Sequence, residues 1–174
     1  MTTFKNMKTS NIRAISAGAI LIGSLATTTV MAGDSFELRL DKSHLNGAIE
    51  LQNGELDRAV QFMTGEYKRA GLSKRNRLPI AIGLCAAFIM KGDAEQANTY
   101  CDAAVDANSK SALARNNRGV FNASKGDLDA AQADFEKALE QNPHFAEAKR
   151  NLERTHNRIA QREKERQERV AVAE

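Results

Sequence analysis

Apolar and polar positions along residues 112–143 follow the period of two helices joined by a tight turn. Leu128, Ala131, Phe135, Ala138 and Leu139 recur at steps of three and four, which is one stripe of a helix. Gly126-Asp127 stands just before that stripe and Pro143 just after it. A glycine at that point closes the preceding helix in a left-handed conformation, and an aspartate next to it caps the exposed N–H groups of the following one. Proline cannot continue a helix, so Pro143 ends the second.

The pattern recurs. Displaced by one fixed interval, Lys125-Gly126-Asp127 falls on Lys91-Gly92-Asp93, Ala131 on Ala97, Ala138 on Ala104 and Asn142 on Asn108. In the other direction the same displacement carries Ala112, Ala114 and Asn117 onto Ala146, Ala148 and Asn151. A slightly longer displacement finds a weaker, earlier copy, with Gly54 on Gly92, Ala59 on Ala97 and Asp57 on Glu95. The extra residues fit the polar connector 71–76. Self-similarity at a period of about 34 residues predicts stacked helix pairs. Asp93 with Gln96 has the spacing of a capping box. Gly119 and Ala131 are small enough for two backbones to approach, and Phe135 fills the gap beside them. After Pro143, the stripe Ala148, Leu152, Thr155 and Ile159 predicts one further helix. Its remainder, AQREKERQERVAVAE, is almost wholly charged, as suits a terminal cap with a polar outer face. Glu165 and Arg169 stand at i,i+4 spacing there, a pairing worth a few tenths of a kcal/mol.

The first residues follow a different logic. Lys5, Lys8 and Arg13 precede the apolar run 14–26, and Val30-Met31-Ala32 ends in small residues. A basic start, a short apolar run and an A-x-A-like site predict a secretory signal peptide over 1–32, cleaved after Ala32. The run is shorter than the roughly 20 apolar residues of a bilayer span, so no stable membrane insertion is expected once it is removed. The expected localisation is therefore exported, periplasmic or secreted.

That cleavage changes the charge. Of 25 basic residues three lie in the leader, leaving 22 against 22 acidic ones. A nucleic-acid binder needs a basic face, and here charges of both signs are interspersed along helices, so nucleic acid is not an expected partner. Catalysis is not expected either. His44, His144 and His156 are scattered, no Cys or Ser stands in a nucleophile–base arrangement, and the two cysteines lie 16 apart with no CxxC. No metal or cofactor site follows from such a distribution. Asn122-Ala123-Ser124 matches a glycosylation sequon, but it falls inside a helix. Cys85 precedes the Gly92 turn by seven residues and Cys101 follows it by nine, so an antiparallel hairpin brings them to similar heights. Two readings stand: a pair of small buried hydrophobes, or a disulfide, which an oxidising compartment favours.

Ala112–Pro143 resembles a tetratricopeptide repeat, a helix–turn–helix unit of about 34 residues. The resemblance rests on Gly119, Gly126-Asp127, Ala131, Phe135, Ala138 and Pro143. It departs from the usual pattern at Arg115 and Arg118, where the family often has an aromatic residue and a leucine. The NNRG run (Asn116–Gly119) is similar to a subtype frequent in bacterial members. The unit Leu78–Asn108 keeps Leu84, Ala97 and Ala104, with Cys85 and Cys101 at the small and large core sites. The unit from Leu40 to Ala70 keeps Gly47, Gly54 and Ala59.

The resemblance implies an all-α, right-handed superhelical solenoid over 42–160, with units at about 40–70, 78–109 and 112–143 and a capping helix from 145. Residues 33–41 form a tail before it, and 161–174 a charged, partly solvated helix end. It also implies a non-catalytic protein-interaction module of the exported bacterial type, whose first helices line a concave groove for a peptide or a partner's helix. The residues carried over to that groove are His44, Ile82, Ala86, Asn116, Asn117, Val120, Arg150 and Asn151. Asn117 and Asn151, one repeat apart, resemble asparagines that bond a ligand backbone, although such residues also satisfy helix ends. Pro79, Ile82, Gly83 and Ala86 give the groove an apolar middle. An apolar concavity marks a partner surface; the tail 33–41 or a second copy of the chain would also cover it. The alternative function is self-assembly as a homodimer through the groove or the C-terminal helix.

Overall fold

The computed structural model describes residues 35–40, 47–69, 71 and 73–173. The expected signal peptide and His44 lie outside them. Seven helices follow one another among the described residues: α1 (Ala48–Gln52), α2 (Leu56–Tyr67), α3 (Lys74–Lys91), α4 (Ala94–Ala107), α5 (Ala112–Ser124), α6 (Leu128–Gln141) and α7 (Ala146–Ala173). Each packs on its neighbour in sequence, and α3 also touches α5, and α5 touches α7. The result is an all-α solenoid of helix pairs closed by a single long helix. Among the described residues, no helix is long and apolar enough to cross a membrane.

Local chemistry sets the helix ends. Gly92 ends α3 at φ 73°, and Asp93 donates its N–H back to the Phe88 carbonyl at 3.0 Å. One repeat later Gly126 has φ 81°, and Asp127 donates to Asn122 at 3.0 Å, so both turns use the left-handed closure that only glycine adopts cheaply. The Asp93 carboxylate then accepts from Gln96 N–H at 3.1 Å, and that of Asp127 from Ala130 N–H at 3.2 Å. α6 stops at Gln141; Asn142 is extended, as the residue before a proline must be. α3 begins at Lys74, ahead of the Leu78 of the repeat spacing, because Ser73 caps it by accepting from Asn76 N–H at 3.3 Å. Part of the polar connector is therefore helical.

Between the helices of each pair the core repeats one motif in two chemistries. A Cβ on Gly119 would lie 2.6 Å from a ring carbon of Phe135, so the absent side chain is what admits the ring. At the equivalent positions one repeat earlier, Cys85 and Cys101 are joined in a disulfide with Cα atoms 4.7 Å apart. Arg115 and Arg118, the two departures from the usual repeat, converge on one carboxylate. Asp134, almost fully buried, accepts from Arg115 at 3.0 Å, from Arg118 at 2.8 Å through two nitrogens, and from Asn122 at 3.1 Å. Arg118 also reaches Asp102 of α4 at 3.1 Å. Hydrogen bonding to Asp134 raises the Arg118 pKa above its ordinary value despite the opposing effect of burial. An ionic brace thus takes the place of apolar contact between α4, α5 and α6.

Candidate functional site

Three asparagines without solvent exposure stand on two neighbouring helices: Asn116 and Asn117 on α5, and Asn151 on α7. A buried amide must find partners, or it costs about 1–3 kcal/mol. These find each other first. Asn116 donates to the Asn117 oxygen at 3.2 Å, and Asn151 donates to the Asn116 oxygen at 3.0 Å. Apart from a bond that Asn151 accepts from Arg154 at 3.4 Å, their remaining side-chain bonds go to an extended stretch of the same chain, residues 35–40.

Asn151 accepts from Glu37 N–H at 2.8 Å and donates to the Glu37 carbonyl at 2.9 Å. Asn117 treats Arg39 in the same way, accepting from its N–H at 3.2 Å and donating to its carbonyl at 2.9 Å. Asn116 adds a donor to the Glu37 carbonyl at 3.2 Å. An extended chain has a period of two, so residues 37 and 39 present their backbone to one side together. Two asparagines one repeat apart therefore read two residues one strand period apart. The groove bonds the segment as a neighbouring strand would, with side-chain amides in place of a backbone.

The side chains of the segment alternate accordingly. Phe36, Leu38 and Leu40 turn towards apolar clusters. The Phe36 ring stacks on Phe135 with centroids 6.0 Å apart, packs in the cluster of Val120, Ala123, Leu128 and Ala131, and lies beneath the Arg158 guanidinium at 4.5 Å. Leu38 and Leu40 pack against the cluster that contains Leu84, Ala86 and Phe121. Glu37 and Arg39 meet the polar face of α7. The Glu37 carboxylate accepts a forked pair from Arg150, with contacts of 2.6 and 3.0 Å, and another bond from Arg154 at 3.0 Å. Hydrogen bonding to Arg150, then to Arg154, holds the Glu37 carboxyl below its usual pKa although burial opposes it, and the same contact raises that of Arg150. Arg39 donates to both oxygens of Glu147, at 3.0 and 3.1 Å, and its guanidinium lies 5.4 Å from the centre of the Phe145 ring.

Asn116, Asn117, Val120, Arg150 and Asn151 are thus brought together around one extended segment, and Ala86 belongs to a cluster that the segment covers. Ile82 is a correction. It does not line the groove but packs with Ala81, Ala104, Val105 and Ala114 between α3, α4 and α5. It occupies the repeat position of Asn116, yet a branched aliphatic side chain there gains more from burial between helices than from the concave surface. Sequence reasoning passed over Phe36, Glu37, Arg39, Glu147 and Arg154. Their signal was the strict alternation Phe36-Glu37-Leu38-Arg39-Leu40, a strand period just ahead of a helical repeat. Among the described residues, no group of three or more His, Cys, Asp or Glu side chains is placed to hold a metal ion.

Residues 112–145 match the family model of the tetratricopeptide repeat. No curated protein sequence matches the chain. Similar solved structures include the first TPR of Spaghetti (RPAP3) bound to the HSP90 peptide SRMEEVD, 22% identical, covering 66% of this chain and 87% of that one with a TM-score of 0.59. The Arabidopsis OM64 TPR domain is 25% identical, covering 64% and 89%, with a TM-score of 0.58. The second TPR domain of human RPAP3, in complex with the HSP70 peptide SGPTIEEVD, is 22% identical, covering 63% and 88%, with a TM-score of 0.56. The all-α repeat fold of the chain is that of TPR domains.

Proposed function

We propose that this protein is a non-catalytic interaction module that binds an extended peptide segment of a protein partner along its concave face. One observation carries the reading. Asn117 and Asn151, one repeat apart, already bond the backbone of an extended segment at alternate residues. Backbone recognition of this kind accepts a strand from any source that reaches the groove, while flanking pockets select its side chains. Two of the similar TPR domains hold peptides, which supports the same reading. The basic leader and apolar run of residues 1–32 support export to the cell envelope as the place of action.

The test is a peptide array probed with the full chain and with the double variant Asn117→Ala/Asn151→Ala. Binding that the double variant loses supports the groove; binding that it keeps places the interaction elsewhere. N-terminal sequencing of the exported protein, with Gly33 expected first, tests the leader.

A further inference from the structure

We infer that the groove selects an extended segment with the order aromatic, acidic, aliphatic, basic, that Phe36–Arg39 is the chain's own tethered copy of that order, and that a partner segment carrying it binds by displacing the copy. The inference rests on the peptide-binding reading and specifies its ligand. The asparagines fix extension and register but are blind to side chains, so selectivity has to come from what each side chain meets. The aromatic place is a slot between Phe135 and Arg158. The acidic place lies between two guanidiniums, Arg150 and Arg154. The basic place is set by the Glu147 carboxylate and the face of Phe145.

Glu147, Arg150 and Arg154 lie on one face of α7 at helical spacing, so a single helix presents charges in a fixed order. A segment with its acid and base exchanged would set carboxylate against Glu147 and guanidinium against Arg150 and Arg154. Like charges placed so discriminate against the wrong partner, while the matched pairs favour the right one. The tether adds a threshold. A segment joined by a short connector acts at an effective concentration of about millimolar, so a free peptide has to outcompete it, and the intact protein binds more weakly than its groove.

The probe is a fluorescent, end-blocked peptide of the sequence SFELRL, titrated into the full chain and into the full chain carrying Phe36→Ala and Glu37→Lys, which disengages the copy without altering the groove. The expected result is that the probe binds the variant about tenfold or more tightly than the wild type, and that the exchanged probe SFRLEL binds the variant about tenfold more weakly than SFELRL. Equal binding of the two probes overturns the inference and leaves the peptide-binding reading standing. Failure of the folded variant to bind any peptide of a random extended set defeats the peptide-binding reading itself. A wild type that is dimeric, with a monomeric variant that does not bind the probe, makes a second copy the occupant and overturns the inference. If the variant does not fold by circular dichroism, a protease site inserted within 41–46 of the otherwise wild-type chain is cut after folding. Displacement of the severed segment by SFELRL and not by SFRLEL then upholds the inference, and equal displacement by both overturns it.

Discussion

The side-chain amide of Asn151 grips Glu37 at both ends of its backbone, accepting from the N–H at 2.8 Å and donating to the carbonyl at 2.9 Å. Asn117 repeats the grip on Arg39. Each asparagine therefore guards one amide. Asn151→Ala is expected to speed hydrogen exchange at Glu37 N–H more than at Arg39 N–H, and Asn117→Ala to do the reverse. Each loss leaves partly buried backbone groups short of a partner, so each should weaken docking of the segment by about 1–3 kcal/mol. Residue-resolved hydrogen exchange by NMR checks this, and equal deprotection of both amides in both variants would contradict the pairing.

Docking should also depend on pH, with a sign that follows from Glu37. When docked, its carboxyl is held below the usual range by Arg150 and Arg154; when released it titrates near the ordinary glutamate value of about 4.3. A lowered docked pKa means that the stabilisation is fully present above that ordinary value and is lost as pH falls through the lower, docked one. A spin label or dye at Ser35 should therefore report a segment that stays docked from neutral pH down to mild acid and releases below it. In Glu37→Gln the docking is weaker at neutral pH and this step in the acid limb disappears; a step that persists belongs to another carboxylate.

The repeat, its turns and its packing pair were legible because each follows from local chemistry. Gly92 and Gly126 occupy turns with positive φ, Asp93 and Asp127 cap the helices that follow, and Gly119 faces Phe135. The groove was legible in part. Asn117 and Asn151 stood out because polar residues recurring at the repeat period on a helix face need a reason. The tail 33–41 was legible as one possible cover of the groove; which of its residues dock was not, because aligning repeats treats whatever precedes them as a connector, and the period of two in Phe36–Leu40 signals a strand with no sheet among the described residues to pair with. Its backbone groups pair instead with side chains 78 to 114 residues away, a relation that no local pattern carries. Ile82 was misplaced for the converse reason: equivalence of position in a repeat does not survive a change from amide to branched aliphatic.

The Cys85–Cys101 disulfide ties α3 to α4 across a separation of 16 residues. Closing a loop of that size stabilises the fold by about 3 kcal/mol, chiefly by restricting the unfolded chain. Reductant should lower the urea midpoint of the full chain correspondingly, while Cys85→Ala/Cys101→Ala should be less stable and indifferent to reductant. Intact mass of the untreated protein checks the premise: it should lie about 2 Da below the reduced form, one hydrogen lost from each thiol.

Core packing and groove are coupled through Phe135. One edge of its ring fills the space that Gly119 leaves, and Phe36 of the segment stacks on it. A Cβ at position 119 would sit 2.6 Å from the ring, and Phe135 has no exposed surface into which to retreat. Gly119→Ala is therefore expected to cost about 1–3 kcal/mol through overpacking, and also to loosen the docked segment by displacing the Phe135 ring on which Phe36 stacks. Gly119→Ala/Phe135→Leu separates the two effects. The smaller leucine makes room for the methyl group, so the double variant should be more stable than the sum of its single costs implies, a coupling that a double-mutant cycle reads directly. Leucine offers Phe36 no ring to stack on, so the amides of Glu37 and Arg39 should stay poorly protected in the double variant even as the fold recovers. Recovery of both together would mean that Phe135 supports the groove by volume alone.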